Sequence, residues 1–143
     1  MKKVKVEITS IIKQEGQVEH FKCTGCGTLS CDNDTYRIEY MEKNQSAEIP
    51  VKLLYKTDEL IMQRGTIENN NYNMMKFMAN EKKNCRLIAA GKIMDLTSFT
   101  KSINFLKKNA NNIQLKVEYQ LFSDIYLIGD YKISIDCFED TQS

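Results

Sequence analysis

The sequence predicts an all-β protein: an antiparallel up-and-down β-barrel of roughly 8–10 strands, in one domain over residues 1–143. Three observations lead there. Between Thr35 and Gly65, Tyr36, Ile38 and Tyr40 alternate with Arg37 and Glu39. Ile49, Val51, Leu53 and Tyr55 then alternate with Lys52 and Lys56, and Leu60 to Arg64 runs back after Thr57-Asp58-Glu59. Successive side chains of a strand point to opposite faces, so each run has one dry and one wet face, as in an antiparallel meander. Second, Ile113, Leu115, Val117, Tyr119 and Leu121 alternate without a break against Gln114, Lys116, Glu118 and Gln120. Third, the connections are short and helical spacing is scarce. An open sheet of that size would leave two edges of unpaired backbone, and closure into a barrel removes both. A two-sheet sandwich is the second architecture the pattern allows.

In chain order, Val4, Val6 and Ile8 alternate with Lys3, Lys5, Glu7 and Thr9 and predict a first strand extending towards Ile12. Glu15-Gly16-Gln17 turns the chain. Val18 to Cys31 is extended but irregular: Phe21 and Cys23 share a face, which Gly25 and Gly27 interrupt. Glycine inside a strand predicts a bulge, a sharp bend or a close backbone approach. Asp32-Asn33-Asp34 is the next turn, and the polar run Lys43 to Ser46 separates the first two central strands. Pro50 cannot donate to a ladder, which suits a strand start, a bulge or an edge.

Residues 66–71, with Asn69-Asn70-Asn71, form a loop. Tyr72 to Ala79 is open between a helical turn and a buried strand, because Met74, Met75, Phe77 and Met78 fit both. Asn84 to Ala90 alternates through Cys85, Leu87 and Ala89 and predicts a strand. Residues 97–107 are open as well: Phe99, Ile103 and Leu106 have helical spacing, whereas Ile103 and Phe105 fit a strand. A turn over Lys107–Asn112 follows. The last strand, Asp130 to Phe138, puts Tyr131, Ile133, Ile135 and Cys137 on one face.

The chain of 143 residues carries 20 basic and 19 acidic side chains, a net charge of +1. Phosphate-driven binding of nucleic acid rests on a basic patch, and this balance offers none, so no nucleic-acid partner is expected. No stretch approaches the ~20 apolar residues of a membrane helix, so no membrane partner is expected either. The start, MKKVKVEITSII, is broken by Lys5 and Glu7 and reads as a strand rather than a signal peptide. With five cysteines, an odd number, this predicts reduced thiols and a cytoplasmic protein. No cofactor is expected. The oligomeric state is open, a homodimer included.

Several short motifs, taken in order, resemble the bacterial YwiB-like family, a small domain family of unknown function (DUF1934). They are Tyr36-x-Ile38-x-Tyr40-x-Glu42, Lys52-Leu53, the strand ending Arg64-Gly65, Met75-x-Phe77, Ile113-x-Leu115-x-Val117-x-Tyr119-x-Leu121 and Tyr131-x-Ile133-x-Ile135. The resemblance runs from about residue 3 to 137. It implies a calycin or lipocalin-like β-barrel with an interior able to hold a molecule, and it implies no activity. The family tends to carry a tyrosine, a threonine and a Tyr-Gly turn between Phe77 and Gly91. Here residues 83–95 read KNCRLIAAGKIMD, so groups of that kind are missing.

Strand parity singles out Arg64. It shares the inward parity of Leu60 and Met62, and Glu42 follows Tyr36, Ile38 and Tyr40 inward. The two strands are second neighbours, roughly 9–10 Å apart. Arg64 could hold a ligand carboxylate or phosphate, because the guanidinium fork matches two oxygens and stays charged. The commoner role of such a residue is a structural ion pair, or a strand end reaching water. Tyr36, Tyr40, Tyr55, Tyr119 and Tyr131 recur on inward faces, as cavity lining or, more often, as core with a satisfied hydroxyl. The candidate ligand residues are therefore Arg64, Glu42, Tyr40, Tyr36 and Tyr119.

His20, Cys23, Cys26 and Cys31 form H-x2-C-x2-C-x4-C, soft ligands that zinc accepts. Parity opposes this set, placing Cys23 and Cys26 on opposite faces unless Gly25 bulges, so no metal is expected. Catalysis is not expected: His20 is the sole histidine, and no Gly-x-Ser-x-Gly, Gly-x-Gly-x-x-Gly or phosphate loop occurs. Glu39 and Glu42 face opposite ways and cannot flank one bond. The methionines at 74, 75 and 78 read as core filling. Two functions stay open: non-catalytic binding of a small amphipathic or anionic molecule in the barrel, and a structural or interaction protein whose barrel is filled by its own side chains.

Overall fold

The computed structural model describes residues 2–43, 48–66, 72–89, 92–109 and 112–139. They form ten strands: β1 (Lys2–Gln14), β2 (Gln17–Asp32), β3 (Thr35–Lys43), β4 (Glu48–Lys56), β5 (Glu59–Arg64), β6 (Asn73–Met78), β7 (Lys82–Ala89), β8 (Lys92–Asn109), β9 (Asn112–Ser123) and β10 (Tyr126–Glu139). Each strand pairs antiparallel with the next, and β10 closes onto β1 through Val6↔Cys137 and Ile8↔Ile135. The result is a closed up-and-down barrel, without helix among the described residues. Closure gives every strand two partners, although β6 and β7 pair only through Asn73↔Leu87 and Met74↔Arg86.

The turns are where the polar dipeptides predicted them. Glu15-Gly16, Asn33-Asp34 and Thr57-Asp58 all have positive φ, which a two-residue hairpin needs to match the strand twist. Asn80 and Asp124 mark two further turns with positive φ that the sequence reading passed over. The asparagines at 69–71 and 111 and the run 44–46 lie outside the described residues.

Both open segments are strands, and each was hard to read for a physical reason. In β6, Met75 and Phe77 are buried, but Met74 on the outer face is 43% exposed, so apolar residues sit on both faces. In β8, Leu96, Ser98 and Thr100 face inward, and then Ile103 and Phe105 do. The register slips between Thr100 and Ser102, making Lys101 an extra residue that flips the parity. A similar slip between Leu127 and Gly129 hides the start of β10, which begins four residues before Asp130.

Gly25 and Gly27 mark no bulge. β2 keeps continuous register with β1 and, from Gly25 onward, with β3. These glycines face the Tyr40 side of β3. A Cβ on Gly25 would come within 2.7 Å of the Tyr40 ring, and one on Gly27 would run into the Glu39 carbonyl and the Tyr40 Cα. Close approach is the alternative that holds. Pro50 lies inside β4, opposite Met41. Its carbonyl accepts from Gly65 N at 2.9 Å, just beyond the last β4–β5 pair, Val51↔Arg64. The missing donor therefore falls where the ladder ends.

The core is the barrel interior, filled by the inward rows: Val4 and Val6, Ile38 and Tyr40, Val51 and Leu53, Leu60, Phe77, the alternating set of β9, and Ile133, Ile135 and Cys137. Outside, Glu39–Lys52, Glu59–Lys76 and Glu118–Lys132 pair across neighbouring strands.

Candidate ligand-binding site

The interior is unevenly filled. Towards the end where β2 turns into β3, Phe105 packs against Tyr36 at 5.0 Å and Tyr55 at 4.7 Å between ring centroids. Nearer the middle, Tyr119 lies between Phe77 at 4.7 Å and a stacked Tyr131 at 5.0 Å. The opposite end, where β1 turns into β2, holds a cavity of about 370 Å³. Its apolar wall includes Ile8, Ile12, Phe21, Met62 and Ile133, and its polar groups are Ser10, Cys23, Tyr40, Glu42 and Arg64. The same end of the barrel carries exposed Ile93, Met94, Ile125, Tyr126 and Leu127, at the start of β8 and in the β9–β10 turn.

Arg64 and Glu42 reach each other across β4. Arg64 donates to Glu42 from Nε at 3.2 Å and from Nη2 at 2.7 Å. This two-bond fork joins a carboxylate that is 5% exposed to a guanidinium that reaches solvent. Burial pushes the Glu42 carboxyl up, but the Arg64 bonds and charge, with a bond from the Cys23 thiol, outweigh it and hold the group below its ordinary value. The bonds to Glu42 raise Arg64 in return. Burial, then the charge of Glu42, pushes the Cys23 thiol up, so it stays protonated and unreactive. Tyr40 is raised by burial first, then by Glu42 and Cys23. Its side chain is buried, and its hydroxyl finds no hydrogen-bond partner among the described residues. A buried hydroxyl left unpaired costs about 1–3 kcal/mol.

Of the five candidates, the fold brings Tyr40, Glu42 and Arg64 together on one cavity. Tyr36 sits at the far, filled end, and Tyr119 is buried between rings. Sequence reasoning missed most of the apolar wall, Ser10 and the place of Cys23. Phe21 and Cys23 did show a shared face, but which neighbours that face would meet depends on the β1–β2 and β2–β3 registers. The other soft residues scatter: Cys26 and Cys31 are exposed, and among the described residues no group of three or more His, Cys, Asp or Glu side chains could hold a metal. All five cysteines are free.

Fold and site together define a closed antiparallel barrel with a side-chain-filled half and a one-ended polar-tipped cavity. The family model described as a domain of unknown function (DUF1934) matches residues 6–135, and the chain belongs to that family. Its fold is similar to that of the YwiB protein from Bacillus subtilis, with a TM-score of 0.78 over 98% of this chain and 93% of that one. Identity between the two is 14%, so the likeness is one of fold. No curated protein matches the chain.

Proposed function

We propose that this barrel binds, without transforming it, a small amphipathic molecule in the cavity at the β1–β2 end. The observation that carries this reading is the Arg64–Glu42 pair, beside buried Tyr40, at the wall of a largely apolar space of about 370 Å³. At about 30 Å³ per water-sized atom, that space takes roughly a dozen non-hydrogen atoms. It lies within the size range of small-molecule sites. An apolar body would lie against Phe21, Ile12, Met62 and Ile133. A hydrogen-bond-accepting head would meet the guanidinium N–H groups of Arg64 that Glu42 does not take. The five free thiols support a reducing, cytoplasmic setting. Nothing in the cavity resembles an activated nucleophile, since its one thiol is held protonated.

The rings that fill the other half favour a second reading, a scaffold with no ligand. Native mass spectrometry of freshly purified protein separates the two. Binding predicts an additional small mass that disappears in Ser10→Leu, which fills the cavity from β1. Protein of bare chain mass that also ignores added short-chain amphiphiles would support the scaffold.

A further inference from the structure

Resting on that reading, we infer that the ligand head is a single negative charge, a carboxylate, and that it enters together with one proton. Glu42 occupies the Nε–Nη2 edge of the guanidinium, and Arg64 also lines the cavity. A carboxylate bound there takes up the remaining donors of the guanidinium. It also places two carboxylates on one cation, inside a site where Glu42 is only 5% exposed.

Around this cluster, β2 presents the Cys23 thiol, β3 presents Tyr40 and Glu42, and β5 presents Arg64. The cavity residues from β1, β4 and β10 are Ile8, Ser10, Ile12, Val51 and Ile133, none of which titrates. Among the described residues that line the cavity, Arg64 is the one cation, so a second anion has no second cation to offset it. Two carboxylates at close range in a poorly hydrated site do not both stay ionised, and one takes a proton. Before binding, the site is Glu42 carboxylate and Arg64 guanidinium, net zero. After binding it holds two carboxyl groups, one guanidinium and one proton drawn from solvent, net zero again. The pair Glu42–ligand shares that proton. A doubly charged phosphate head would require two protons, and an ammonium head would face a guanidinium whose carboxylate is already bonded.

Proton uptake on binding makes affinity for the anion rise as pH falls, by about tenfold per pH unit while one proton is taken up. The probes are octanoate and its uncharged counterpart 1-octanol, each titrated into the full chain by calorimetry between about pH 6 and pH 8 in buffers of different ionisation enthalpy. Octanoate is expected to bind with uptake of about one proton and roughly tenfold loss of affinity per pH unit. Octanol should bind with neither. In Glu42→Gln, octanoate should bind with no uptake and a flat pH profile. Octanoate binding to wild-type protein without proton uptake overturns this inference and leaves the cavity reading standing, whether or not the variant folds. If neither probe binds, the cavity reading itself falls.

Discussion

Where β2 turns into β3 the inward rows end in rings: Phe105 packs against both Tyr36 and Tyr55. Where β1 turns into β2 the same kind of row ends in Glu42, Arg64 and Phe21, around open space. Both ends use one device, alternation across a closed sheet. They differ in what an inward position is asked to do. A ring stabilises by filling volume, whereas a buried charge must be paired and keeps its neighbours at hydrogen-bonding distance. A barrel closed by aromatic packing at one end can carry a polar, partly open end at the other.

Five variants and one titration test that contrast. The largest loss is expected for Phe77→Ala. Its ring is fully buried against Tyr119, and removing it should cost about 3–5 kcal/mol in denaturant unfolding. A much smaller loss would mean that the filled half is loosely packed. Arg64→Met alone should be of similar or slightly smaller size, about 3–5 kcal/mol, because it strands a buried carboxylate. The double variant Arg64→Met with Glu42→Gln should recover most of that loss, and equal losses in both would show that Glu42 is solvated.

Gly25→Ala comes next, at about 1–3 kcal/mol, since the added methyl meets the Tyr40 ring and the Met41 carbonyl. Wild-type stability should also fall with acid. Glu42 is depressed in the folded state, so its contribution is complete above the unfolded value of about 4.3 and is lost as pH drops through the lower folded one. Unfolding midpoints between about pH 5 and pH 3 should fall more steeply for wild type than for the double variant. The smallest effect belongs to Phe21→Ala at the cavity mouth. With 49% of its surface exposed it should cost less than about 1 kcal/mol, while weakening octanoate binding.

Much of the barrel was legible because β3, β4 and β9 obey strict alternation and the turn into β3 carries Asn33-Asp34, which tolerate positive φ. Reading failed where one extra residue shifts the parity, at Lys101 in β8 and before Gly129 in β10. No local pattern announces such a residue, because a bulge shows itself only against the partner strand. For the site, parity sufficed to turn Tyr40, Glu42 and Arg64 inward. It could not separate them from Tyr36 and Tyr119, which share that orientation but sit among rings.

The order of apolar and polar residues along each strand settled which side of the sheet faces inward, since a strand's side chains alternate whatever they later touch. How far round the barrel and how far along its axis each inward residue sits was decided by register and closure. Those are properties of pairs of strands distant in the chain. The Arg64–Glu42 bond spans 22 positions and the gap across β4, and the cavity beside it is walled by strands from both ends of the chain. Neither is present in any one segment, so only the assembled fold could bring them together.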